Sequence, residues 1–428
     1  MNVAVIGSGG REHAIVKKLQ ESKLVSKLYA IPGNGGMADD AECVAIGVNE
    51  TLKIVDFVKR NGIEYVVVTP DNQLVDGMVD ALAEIGVKCF GPDKKAAIIE
   101  GSKVFSKNLM KKYGIPTASY EVFNDPKDAL EYVKTVPLPT VIKADGLALG
   151  KGVIIAETRN DAEKAIESIM EDKIFGKSGA NIVIEEFMTG PEASVLAFTD
   201  GKTLIPMVSA MDHKRAKDND KGLNTGGMGT IAPNPYYTDD VAKVCMDTIF
   251  MPTIEAMEKE GRPFKGCLFF GLMITADGPK VIEYNCRFGD PETQVVIPLL
   301  ESDLLEIMMA CTDGTLSEKK VLFKNASACC VVLASNGYPE KYDSGFPITL
   351  DGEIDGKLYF AGAKLKDGGI VTAGGRVMGV TAVADDLKSA IVKAYNETEK
   401  VHFENKYMRN DIGARALKAF EEGRSNGI

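Results

Sequence analysis

The sequence predicts an α/β protein with three parts: an N-terminal doubly wound parallel sheet, a small lid subdomain and a C-terminal α+β domain. Three observations carry this. Residues 1–92 alternate short apolar runs with helix-period patterns, as crossover-connected parallel strands require. A glycine-rich stretch, Lys143–Gly152, lies between two strand-like runs. A new series of strand runs begins at Ser327. At about 100–200 residues per domain, 428 residues allow two to four domains. The expected boundaries are 1–102, 103–327 with the lid at about 124–194, and 328–428.

Taken in order, Val3–Ile6, Leu28–Ile31 and Tyr65–Val68 are the first strand runs. Between them, Ile15, Val16 and Leu19 share one helix face, and Leu74, Val75, Met78, Val79, Leu82 and Ile85 share another. Residues 93–122 read as a helical connection ending at Gly114-Ile115-Pro116. Residues 123–194 hold one helix pattern and several strand pairs, and 195–326 form a longer α+β stretch. Beyond them come Ala328–Ala334, Leu358–Ala361 and Val377–Val383, then helical segments near 386–398 and 411–421.

The glycine-rich segments carry the chemistry. Gly7-Ser8-Gly9-Gly10-Arg11-Glu12 joins a strand to a helix, where glycines let backbone approach an anion. A dinucleotide fingerprint wants a third glycine where Glu12 stands, and an acidic residue where the second strand ends in Pro32-Gly33-Asn34-Gly35-Gly36. NAD is therefore disfavoured. A small-molecule phosphate or carboxylate site and an empty tight turn remain. Lys143–Gly152 fails the P-loop register, because Gly146 and Gly150 are separated by three residues and Gly152 replaces the hydroxyl residue. It joins strand to strand, so a lid over nucleotide phosphates fits better, with Lys143 and Lys151 at its ends. Ile182–Phe187 runs into a polar hinge before Gly190-Pro191-Glu192. It could offer backbone groups to a base and a carboxylate to a ribose, or be an exposed strand end. Asp212-His213-Lys214-Arg215 and Asn224-Thr225-Gly226-Gly227-Met228-Gly229 could surround a phosphoryl group with cations and N–H donors. The alternative is a solvated loop. In Val281–Arg287, period two puts Glu283, Asn285 and Arg287 on one face. Two oxygen ligands beside a guanidinium suit magnesium on phosphates; a polar strand facing water is the alternative.

Composition excludes other classes. The net charge of −11 argues against a general nucleic-acid or anionic-membrane surface. The eight cysteines form no C-x-x-C pair, and His13, His213 and His402 are scattered, so neither a disulfide framework nor a zinc site is expected. No apolar run reaches the roughly 18 residues of a span, and the first residues lack signal-peptide character. A cytoplasmic monomer without nucleic-acid or membrane partners is expected.

Together and in this order, these segments resemble the ATP-grasp superfamily and, within it, the glycinamide ribonucleotide synthetase family, over essentially the whole chain. Gly374-Gly375-Arg376-Val377 and Asp411-Ile412-Gly413 extend the resemblance to the C-terminal domain. It implies an ATP-grasp fold and an ATP-dependent ligase of purine biosynthesis. The substrates would be glycine, 5-phosphoribosylamine and ATP, with magnesium or manganese. Another ATP-grasp carboxylate–amine ligase of purine metabolism is the alternative. The resemblance assigns Glu283 and Asn285 to the metal, and Lys103, Lys143, Gly150, Lys151, Glu185 and Glu192 to the nucleotide. Arg287, Asp212 and Lys214 would be catalytic, and Gly9, Gly10, Asp290, Lys364 and Arg376 would bind substrate, the last two through the sugar phosphate. Two departures stand out. Gly271-Leu272-Met273 supplies no acidic metal ligand on the preceding strand, and Thr69-Pro70-Asp71 replaces the usual Gly-Pro-Glu.

Overall fold

The computed structural model describes residues 1–147 and 152–423. Strands Glu42–Cys43, Lys27–Pro32, Asn2–Gly7, Tyr65–Val68 and Lys88–Phe90 form one parallel sheet in that spatial order. Their apolar runs are buried because crossover helices cover both faces. Gly7 pairs with Pro32 and Ile6 with Val68, so the turns beginning at Gly7, Pro32 and Thr69 meet at one edge. That edge is the carboxyl end of the sheet, where open α/β folds bind ligands. The predicted helix over residues 74–85 is two helices, Asp71–Asp76 and Met78–Glu84. Gly77, at φ +95°, breaks it; its left-handed backbone stops the first helix, a break the apolar spacing did not reveal.

Helices Lys94–Gly101 and Lys103–Tyr113 form the predicted connection, and the Ser102 hydroxyl caps the second by accepting from Phe105 N–H at 3.1 Å. A four-stranded sheet follows, ordered Tyr120–Phe123, Ile182–Glu186, Thr140–Ala144, Val153–Ala156. It has its own apolar cluster around Ile142, Ile166, Ile169 and Ile184. A second antiparallel sheet runs Leu204–Pro206, Glu192–Thr199, Gly266–Thr275, Gly278–Asn285.

The last large sheet crosses residue 328. Met211–Asp212 and Gly229–Ala232 lie beside Ser327–Ser335, followed by Arg376–Ala384 and Lys357–Phe360. The middle and C-terminal segments thus share backbone ladders. His13 joins the first unit to the last: its Nδ1 accepts from Phe360 N–H at 2.8 Å, and its Nε2 meets Asp40 at 2.8 Å. All eight cysteines are free, and seven are buried. None of the described helices is long and apolar enough to cross a membrane.

Candidate active site

The site begins with an irregularity in strand Gly278–Asn285. Gly271 pairs with Glu283, but Leu272 pairs with Val281, so Ile282 is an extra residue. A bulge leaves its extra residue outside the ladder, and the Ile282 carbonyl accepts from Lys143 Nζ at 3.1 Å. Glu283 and Asn285 still alternate about buried Tyr284. Arg287 lies beyond the strand, but it reaches back to donate to Asn285 Oδ1 at 3.1 Å. The expected constellation is therefore assembled partly by a side chain folding back.

One cavity brings together Lys103, Lys143, Glu185, Glu283, Asn285 and Arg287. Burial would raise the Glu283 carboxyl, but Lys214, Lys143, Lys103 and Arg287 outweigh it and hold the group below its ordinary value. Glu283 is thus an anion facing cations. Glu283 and Asn285 form a hard oxygen pair on one face, donors of the kind that would suit a hard divalent cation such as magnesium. No cluster of three or more His, Cys, Asp or Glu suited to a metal occurs among the described residues.

Behind the lysines, Glu185 accepts ion pairs from Lys143 at 3.0 Å and Lys107 at 3.1 Å. Its Oε1 is buried without a partner among the described residues. Burial lowers Lys107 to about 8, against the raising effect of Glu185. Lys103 donates to the Gly146 carbonyl at 2.8 Å. Gly150 and Lys151 lie outside the described residues.

Glu192 does not line this cavity. It pairs with Lys214 at 2.9 Å, and its charge, with Glu283 and Asp212 behind it, raises Lys214. Asp212 and Glu292 are both pushed up by burial, and the Glu292 charge adds to the effect on Asp212. Ser194 donates to Glu292 at 3.1 Å.

Four of the residues expected on the substrate side, Gly9, Gly10, Asp290 and Arg376, come together where three segments converge. A Cβ on Gly9 would lie 3.4 Å from Asp290 Oδ2, and one on Gly10 only 2.7 Å from Gln294 Nε2. Gln294 in turn donates to Asp290 at 2.7 Å. Arg376 ion-pairs with Asp290 at 3.2 Å and donates to the carbonyls of Gly226 at 2.7 Å and Asp290 at 3.0 Å. Its guanidinium thus clamps two loops of the site. Lys364 is not brought to this group: it is exposed, and its backbone lies against Gly35.

The expectation of an anion at the Gly7–Gly10 turn meets a specific obstacle. Glu12 folds back, and its Oε2 accepts from Gly9 N–H at 2.6 Å, while Oε1 takes Thr69 at 2.7 Å and Arg11 at 2.6 Å. Glu12 itself occupies part of the donor set that an external anion would use, which gives a physical reason for rejecting NAD there.

The sequence reading gave no role to Glu100, Lys107, Glu292 or Gln294, which the structure sets beside the candidate site residues. Glu100 pairs with Arg287 at 3.0 Å and accepts from Cys286 N–H at 2.7 Å. Asp71, the last residue of the Thr69-Pro70-Asp71 departure, stands 3.8 Å from Arg287. Glu100 lies on a connecting helix with no distinguishing local pattern; only the Asp290–Gln294 run carried a signal, in its density of polar groups.

Beneath the loops, His213 donates through Nδ1 to Gly229 O at 3.1 Å and accepts at Nε2 from Gly413 N–H at 3.1 Å. Burial, helped by Arg415 and Arg409, lowers it to about 4. The unfolded chain therefore takes up a proton near pH 6.5 that the folded protein refuses until about pH 4. Stability present above pH 6.5 falls as pH drops toward 4, by on the order of 3 kcal/mol from this residue. Urea unfolding at pH 7 and pH 4.5 should show that loss, and His213→Gln should shrink it. An unchanged pH dependence in the variant would assign the effect to other groups.

Three family models match consecutive parts of the chain: phosphoribosylglycinamide synthetase N domain at residues 1–100, its ATP-grasp (A) domain at 101–293 and its C domain at 328–415. The phosphoribosylamine–glycine ligase of Caldanaerobacter subterraneus subsp. tengcongensis is 47% identical over 97% of this chain and 100% of its own. That of Clostridium acetobutylicum is 46% identical over 96% and 99%. The crystal structure of phosphoribosylamine–glycine ligase from Thermotoga maritima matches with TM-score 0.84 and 37% identity, covering 96% of this chain and 100% of that one. The biotin carboxylase domain of Hydrogenobacter thermophilus 2-oxoglutarate carboxylase shares the fold at TM-score 0.76 and 16% identity, over 100% and 96% of the two chains.

Proposed function

Because the chain belongs to the phosphoribosylglycinamide synthetase family, we propose that its cleft ligates glycine to 5-phosphoribosylamine, consuming ATP. The observation that carries this reading is the grouping of Glu283 and Asn285 with Lys103, Lys143 and Arg287 in one cavity. Glycine's carboxylate, with a reference pKa of roughly 3.5, is ionised at neutral pH and resists attack. In the first step its oxygen takes the γ-phosphoryl group of ATP, giving glycyl phosphate and ADP. In the second, the sugar amine attacks the glycyl carbonyl, phosphate leaves and the amine nitrogen gives up one proton. The product is glycinamide ribonucleotide.

Each residue has a task in that scheme. Lys143 and Lys103 hold the outer phosphates. The lone Glu185 oxygen accepts from an N–H of the adenine. Glu283 and Asn285 would hold magnesium or manganese, which when bound neutralises charge on the transferring group. Lys214, Asp212 and Arg287 orient the carboxylate and the phosphoryl group. Gly9, Gly10 and Asp290 receive the amino sugar, with Lys364 and Arg376 on its phosphate side. Glu192 is assigned to the ribose, and in the structure it pairs with Lys214. Residues 124–194 act as the lid that excludes water, which would otherwise hydrolyse glycyl phosphate.

ADP release tests the reading. Full rate should require glycine and phosphoribosylamine together, and either alone should give little turnover. An equal rate with alanine or formate in place of glycine would instead favour another carboxylate-activating enzyme of the same fold.

A further inference from the structure

The hairpin Arg215–Lys217/Lys221–Asn224 stands between the two loops of the site: Asp212 and Lys214 immediately precede it, and Thr225–Gly227 follow. It is a separate two-stranded sheet, and such a ribbon is marginal by itself. Residues 221–224 are exposed, and Asn219 and Asp220 at the tip take left-handed φ of 57° and 52°. Something else must set its position.

Segment 407–413 supplies that support. Arg409, 1% exposed, grips Asp411 with two bonds of 2.7 and 2.8 Å. The same guanidinium donates to Asp220 at 3.0 Å and to the Arg215 carbonyl at 3.1 Å. Asp411 also accepts from Asn219 N–H at 2.8 Å. Asp218 accepts from Asn410 N–H at 2.8 Å, and Tyr407 donates to the Ala216 carbonyl at 2.7 Å. At the base, Thr225 donates to the Lys214 carbonyl through its hydroxyl at 2.9 Å and its N–H at 2.8 Å. The ribbon is thus held at its tip by this segment, with Arg415 just beyond it pairing with Asp220 at 3.2 Å, and carries Lys214 at its base. A buried guanidinium is a costly way to fill space, and such groups are best attested where they set register.

We infer that segment 407–413 is a strut that positions Lys214 through the hairpin, with Arg409 as its positioning residue. The inference rests on reading Lys214 as a group facing the transferring phosphoryl. Displacement of a catalytic group by about 1 Å can cost on the order of 10²-fold in rate. The test compares Asp220→Ala, Arg409→Ala, Arg409→Lys and Lys214→Ala with the unmodified enzyme. Asp220→Ala, at the half-buried tip, keeps the experiment decisive should Arg409→Ala not fold. Expected are a kcat lowered about 10- to 100-fold in Asp220→Ala, a KM for ATP within about twofold, and faster tryptic cleavage at Lys217 or Lys221. Arg409→Lys should recover part of the rate lost in Arg409→Ala. The strut is overturned if folded Asp220→Ala keeps its kcat while Lys214→Ala loses it, or if KM for ATP rises in step with the kcat loss. If Lys214→Ala itself keeps full kcat, the reading of Lys214 fails instead, and the strut with it.

Discussion

Glu283→Ala should lower kcat on the order of 10³-fold, about 4 kcal/mol of transition-state stabilisation. Glu283 is the anion on which Lys214, Lys143, Lys103 and Arg287 converge, and it is one of two oxygen ligands proposed for the metal. Its loss leaves four cations without their shared counter-charge and the triphosphate without one anchor. The fold should survive, because the side chain stands over Gly271, which contributes no side chain to pack against it. Glu283→Gln separates charge from shape: it keeps the volume and should lose nearly as much rate. The measurement is steady-state ADP release as magnesium is varied, with thermal unfolding as the check on folding. Turnover near that of the unmodified enzyme at ordinary magnesium would place the metal elsewhere.

Arg287→Ala should damage both activity and stability. Its guanidinium pairs with buried Glu100 at 3.0 Å and orients Asn285 at 3.1 Å. Burial already raises Glu100 against the pull of Arg287, so removing the cation strands a buried carboxylate. Breaking such a pair from one side costs about 3–5 kcal/mol, which corresponds to a fall in Tm of about 10 °C for a domain of this size. Adding Glu100→Gln should restore much of the stability without restoring turnover, since Asn285 stays unoriented. If the double variant is no more stable than Arg287→Ala, the loss has another origin than Glu100.

The residues that could be read locally were those whose chemistry lies in one stretch. Glu283 and Asn285 were legible because strand periodicity places alternate residues on one face, and Lys143 because a glycine-rich link between two strands sets it apart. Arg376 entered through the Gly374-Gly375-Arg376-Val377 motif of the resemblance. In the structure those glycines serve packing: Gly375 abuts the Tyr338 ring and Gly374 faces Gly362, while the guanidinium bridges two loops. Its proposed role on the sugar phosphate must therefore coexist with a clamp already formed.

The amino-acid pattern by itself determined the parallel N-terminal sheet, the strand-to-strand glycine link and the polar strand of the site. Each follows from periodicity and turn chemistry within a few residues. Tertiary structure alone decided the rest. Arg287 meets Glu100 from 187 positions away in the chain, and Arg409 meets Asp220 across 189. One extra residue, Ile282, turns a carbonyl to Lys143, and strands on either side of residue 328 share a sheet. Neither a bulge nor a long-range pairing is a property of local pattern: both are set by which surfaces meet when the chain closes, and there a buried charge must find its counter-charge wherever the fold supplies one.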